Sequence, residues 1–159
     1  MGWLGLFIMG VSLYFVPRLA GTPLPRPVVA PLAVCLLFAG VATRAIGQGT
    51  MGLGIDHGTG PIVIGLSGLV TLVAIFLYVG TAVYVVLRAD EQRAALAAVR
   101  PLIVAAMVGW LGYGVINVVV SLGAMRAETA MVDLVWNRNA IDVYIALTLV
   151  PVALAFSIR

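Results

Sequence analysis

Lysine is missing from this chain, and histidine and cysteine occur once each, as His57 and Cys35. Charged residues make up 9% of the 159 positions, where a soluble domain carries about a quarter. Nine scattered arginines against six acids leave a net charge of +3, with no basic patch, which excludes nucleic acid as a partner. A lone cysteine cannot close an intrachain disulfide and offers no metal-site spacing, so Cys35 reads as a small packing residue. One histidine is too few for a metal centre of three or four ligands. The nucleophile elbow GxSxG, the zinc motif HExxH, the CxxC pair and the phosphate-binding glycine loops are also missing. "GQGTMGLG" (residues 47–54) is rich in glycine but follows no strand. No string of acids lies within an apolar run to mark a proton path. An enzyme acting alone is therefore not the expectation.

What fills the chain is apolar. Hydrophobic residues make up 63% and the mean hydropathy is +1.17, values of a protein whose solvent is the lipid bilayer. Charges and prolines divide it into spans at about 1–17, 28–46, 61–87, 101–124 and 140–158. A crossing helix needs roughly 20 apolar residues, so the third and fourth spans are the most secure. Lipid offers no partner to backbone polar groups, and these segments are too long for barrel strands. The expected fold is all-α, a single integral membrane domain of about five transmembrane helices.

The ends of these spans carry capping and anchoring chemistry. Pro101 suits the first turn of the fourth helix, and in "NRNAID" Asn139 reads as an N-cap with Asp142 three residues on. Arg88 complements the C-terminal dipole of the third helix. The linker "RADEQRAALAAVRP" favours an interfacial turn of helix between spans three and four. Five spans put Arg18, Arg26, Arg88, Arg93, Arg100 and Arg159 on one side, against Arg44, Arg126 and Arg138 on the other. Positive charge stays inside, so the C-terminus is expected in the cytoplasm of a cell or inner membrane and the 47–60 segment outside. Met1 opens directly into an apolar segment, with neither a basic n-region nor an AxA cleavage pattern, unlike a signal peptide. Residue 1 need not be the natural start, and an upstream helix is an expectation to check in the DNA.

Four residues stand out as chemistry candidates. His57, beside Asp56 in a glycine-rich connector, is the candidate axial haem ligand, with Met51 or another chain supplying a second. As plain structure, "IDHGTG" is a polar turn, with Asp56 bonding the loop and Gly58 left-handed, and that is the reading adopted. Asn117 lies near the middle of the fourth span, where an amide needs a partner across a helix interface. Tyr14, Tyr78 or Ser67 are the expected partners, and a substrate, quinone or haem propionate is the functional alternative. Tyr113 shares its face, one turn away. Asp142 is either a first-turn cap or, with Asn117 and Tyr113, part of a path through the membrane. Gly109, Gly112 and Gly114 allow close helix packing. Trp3, Trp110 and Trp136 are scattered, with Trp136 at an interface and no aromatic cage implied.

The segment "MGWLGLFIMGVSLYFVPRLAGTPL" resembles one found in haem-copper oxidase subunit I relatives and NnrS-type membrane haem proteins. There a glycine-rich helix ends in an aromatic, a Pro-Arg pair and a short Gly/Pro turn. The matching positions are Gly2, Trp3, Gly10, Tyr14, Pro17, Arg18, Leu19 and Gly21. "GLSGLVTLVAIFLYVGTAVYVVLR" with "RPLIVAAMVGWLGYGVIN" is a second similarity, and together they touch about half the chain. The resemblance implies a polytopic prokaryotic membrane protein linked to respiratory or nitric-oxide-related haem chemistry. Those families carry their haem-ligating histidines on helices, whereas here the one histidine lies in a connector. The implied role is thus a non-catalytic or accessory component, with haem unsupported by the ligand count. The alternatives are an oligomeric small transporter or channel subunit, or a structural subunit of a larger membrane complex. The implied partners are the bilayer, other membrane subunits or further copies of this chain.

Overall fold

In the computed structural model, residues 2–55, 58–89, 94–130 and 134–157 are described, and all regular structure among them is helical. Helices α1 (Gly2–Ala20), α2 (Val29–Gly52), α3 (Gly60–Leu87) and α4 (Ala94–Arg126) precede α5 (Leu134–Tyr144). The last of these runs through a π-helical turn (Ile145–Leu149) straight into α6 (Val150–Ser157), making one fifth helix in three pieces. Four stretches, Val29–Gly52, Gly60–Leu87, Ala97–Arg126 and Val135–Ala155, are long and apolar enough to cross a bilayer, and the apolar helix Leu4–Ala20 is shorter. The molecule is a multi-pass membrane protein. Large apolar side chains on its outside, among them Phe7, Phe38 and Phe76, find in acyl chains the environment that water denies them.

Several boundaries move outward from those expected. The second span was expected to end at 46, but α2 continues through the glycine-rich stretch to Gly52. Packing offsets its low helix propensity: a Cβ at Gly47 would meet the Val63 and Ile64 side chains at 3.1 and 3.2 Å, so glycine lets this turn lie close against α3. Pro101 is not in the first turn of α4, which starts at Ala94. Asn139 is no N-cap either, because α5 starts at Leu134 and Asn139 falls in its middle.

Three helix ends close in the same way. The N–H of Thr22 bonds to Pro17 O and that of Gly21 to Arg18 O, with Gly21 at φ 63°. Ile55 and Gly54 repeat the pattern on Thr50 and Met51, with Gly54 at φ 68°. Thr129 and Glu128 repeat it on Ala124 and Met125, but there the left-handed position is held by Glu128 at φ 51°. Each is a Schellman cap, which returns two orphan carbonyls to the hydrogen-bonded state.

α3 is the hub, touching α1, α2 and α4, while α4 also carries the fifth helix. Close approach depends on glycine at a few points. A Cβ at Gly40 would lie 3.1 Å from both Ser67 O and Thr71 N on α3, and one at Gly68 would lie 2.6 Å from Ser121 Cβ on α4. One at Gly109 would lie 2.6 Å from the carbonyl carbon of Leu147, in the π turn. That turn directly precedes Pro151, whose ring would collide with the Leu147 carbonyl in a regular α-helix. Widening the backbone to the i−5 bond from Val150 N–H to Ile145 O takes up the misfit.

Candidate functional site

Polar side chains meet at one point inside the bundle. Gly40, Arg44 and Gly47 recur at helical spacing on one face of α2, and the two glycines press that face onto α3. Arg44 is thereby aimed across α3 toward α4. Its Nη1 donates to Asn117 Oδ1 and its Nη2 to Ser121 Oγ. Asn117 and Ser121 are one turn apart on α4, and Ser121 Oγ in turn donates to Asn117 O at 2.6 Å. The close α3–α4 contact at Gly68 brings Ser121 within reach. α2 and α4 have no backbone approach of their own, so this arginine ties together two helices that α3 keeps apart.

The cluster leaves donors over. Arg44 Nε is buried without a hydrogen-bond partner, and two of the five guanidinium N–H bonds are engaged. The Asn117 amide nitrogen makes no hydrogen bond. Among the described residues, the one ion pair is Arg138–Asp142, so no carboxylate there pairs with Arg44. Counting Arg44 as an outer flanking charge is corrected by this geometry. Asn117 is buried and bonded across helices, but its partner is Arg44 rather than Tyr14, Tyr78 or Ser67. Arg44 and Ser121 were missed. Their signals were the glycines at 40 and 47 flanking an arginine, and a serine one turn beyond the lone amide.

Of the other candidates, Tyr113 lies within electrostatic reach of Arg44. Asp142 has its side chain 65% exposed and paired at 3.9 Å with Arg138 of its own helix. It is not a first-turn cap, since α5 starts at Leu134. Tyr113 belongs to an aromatic group about Trp110, whose ring centroid is 5.5 Å from Tyr78, 5.3 Å from Tyr144 and 6.3 Å from Tyr113. Trp110 is thus no scattered residue but the centre of the core, 1% exposed. Its Nε1, the Tyr144 hydroxyl and Thr148 Oγ1 are all buried without partners. Thr148 lies in the π turn, whereas Ser12, Ser67, Thr71, Thr81 and Ser121 return their hydroxyls to carbonyls three or four residues back.

His57 and Asp56 lie outside the described residues, and Met51 lies in the last turn of α2. Among the described residues no group of three or more His, Cys, Asp or Glu could hold a metal ion. An apolar groove between α1, α3, α4 and α6, lined by Phe15, Met107 and Val152 with the Ser12–Tyr78 hydroxyl pair at its wall, has a volume of about 60 Å³. That is well short of the roughly 300 Å³ of a small-molecule pocket. A wider concavity of about 430 Å³ lies between α4 and α5, lined by Val119, Gly123, Ala124, Thr129 and Trp136.

Comparison with models of protein families, with curated proteins and with solved structures gives no match for this chain.

Proposed function

We propose that this chain is a non-catalytic, accessory component of a larger membrane assembly. In this reading it is a reduced relative of the haem-copper oxidase subunit I and NnrS-type group it resembles, linked to haem chemistry through its partner. The observation that carries the assembly role is the outer face of α5. The apolar stretch Val135–Ala155 has 21 residues, about 31 Å at 1.5 Å per residue, which matches the hydrocarbon core. Arg138 and Asp142 then lie roughly 5 and 11 Å along it, with side chains 82% and 65% exposed. A carboxylate turned toward acyl chains is costly. A protein neighbour over Asn139 and Asp142, seated in the concavity beside Trp136, removes that cost.

A photo-crosslinking residue at Asn139, introduced at native expression level, tests this. It is expected to yield one discrete larger species, identified by mass spectrometry as a haem-bearing membrane subunit. The same residue at Val73, exposed on α3, is expected to label lipid only. No protein adduct at Asn139 overturns the assembly role. A partner whose purified complex lacks a Soret band overturns the haem link alone. The second reading, a small transporter or channel subunit, draws on the Arg44 cluster.

A further inference from the structure

We infer that Arg44, together with the Asn117 amide, forms an intramembrane binding site for an oxyanion, the carboxylate or phosphate group of a ligand. This inference uses none of the residues on which the assembly role depends, so the two stand or fall separately.

Three observations converge on it. First, the cluster spends its acceptors internally: Asn117 Oδ1 and Ser121 Oγ receive Arg44, and Asn117 O receives Ser121. The hydrogen-bonding capacity left over on the nitrogens is Arg44 Nε, the spare Nη hydrogens and the Asn117 Nδ2 group. A fixed positive charge with N–H groups to spare favours an anion over a cation. Second, the guanidinium is charged and its two partners are neutral. Neutral dipoles satisfy hydrogen bonds without cancelling charge, and a charge in low dielectric demands an opposite one. Among the described residues no carboxylate supplies it. Third, two engaged N–H groups fix the plane of the guanidinium, and Arg44 keeps part of its surface accessible. A guanidinium held in place, with Nη hydrogens still unused, suits a charge-assisted bond to a carboxylate or phosphate oxygen from its accessible side.

The site is also within reach of the membrane surface. Arg44 stands eight residues before the end of α2 at Gly52, about 12 Å along the axis. A lipid phosphodiester drawn down from the headgroup layer and a soluble carboxylate or phosphate entering from that end present the same chemistry.

The full chain, reconstituted in phosphatidylcholine nanodiscs, distinguishes these sources by its unfolding temperature. Inorganic phosphate and acetate are titrated against chloride at equal ionic strength, and separately phosphatidylglycerol replaces part of the lipid. Saturable stabilisation by phosphate or acetate identifies a soluble ligand, and stabilisation by phosphatidylglycerol alone identifies a lipid headgroup. Either supports the site. Arg44→Gln is expected to weaken the response about tenfold or more, the scale of a lost charge-assisted hydrogen bond. Should that variant fail to fold, Asn117→Asp decides: it places a carboxylate beside Arg44 and is expected to raise the unfolding temperature while abolishing the anion response. The inference is overturned if no oxyanion acts beyond chloride, or if the response survives in Asn117→Asp.

Discussion

Arg44 depends on its two acceptors. Asn117→Leu removes one and leaves a charged donor facing an apolar side chain, a loss expected at about 1–3 kcal/mol in detergent unfolding. Replacing Arg44 and Asn117 together by leucine removes both halves, so the double variant is expected to be more stable than Asn117→Leu alone. A double variant less stable than either single one refutes the pairing. Asn117 was legible in the sequence, because a lone amide inside an apolar span has to find a partner. Its partner was not, because an arginine at the end of an apolar run reads equally well as an interfacial flank. Which it is depends on how far α2 runs past it, and Gly47 packed against Val63 and Ile64 lies on that further stretch, a contact between segments that no local pattern records. Asp142 failed in the mirror image: its spacing from Asn139 imitates a cap, but the helix had already begun at Leu134.

Among the helices, the caps and close contacts give opposite expectations for superficially similar changes. Glu128 holds a left-handed conformation that costs an L-residue about 1 kcal/mol or more. Glu128→Gly is therefore expected to raise stability by roughly 0.5–1 kcal/mol, measured by thermal or denaturant unfolding. Gly109→Ala drives a methyl group into the backbone of Leu147 and is expected to cost about 1–3 kcal/mol. Gly80→Ala, where a Cβ meets nothing within 4 Å, is expected to be neutral or stabilising by up to about 1 kcal/mol. Equal losses at both glycines would mean that packing against the π turn is not what Gly109 provides. The number and kind of helices were readable from hydropathy alone, because lipid permits little else. The Schellman ends at Gly21 and Gly54 were not singled out although glycine marks them. The π turn left no mark beyond Pro151, whose ring would collide with the Leu147 carbonyl of its own helix.

For the whole molecule, the arginine count predicts a cytoplasmic C-terminus. A reporter fused after Arg159 is expected to be active there, and a cysteine at Leu53, exposed past the end of α2, in a Cys35→Ser background, to react with an impermeant reagent applied outside. Arg18 stacked on Tyr14 at 3.7 Å and Arg88 over Tyr84 at 5.3 Å sit at the opposite end, as interfacial anchors do. Reversed labelling would show that the charge bias does not set the orientation. The clasp between α2 and α4 also has a consequence in time. Arg44 and Asn117 are 73 residues apart in the chain, so at about 5–20 residues per second the arginine is synthesised several seconds before its acceptor exists. Through that interval α2 carries an unpaired arginine within its apolar stretch, where the cost of such a charge reaches at most about 2.5–3.5 kcal/mol, the value for a helix centre. The second helix is therefore expected to linger at the insertion machinery until the fourth emerges. Nascent chains halted before Asn117 should leave α2 extractable from the membrane, and Arg44→Leu should release it into the lipid at once.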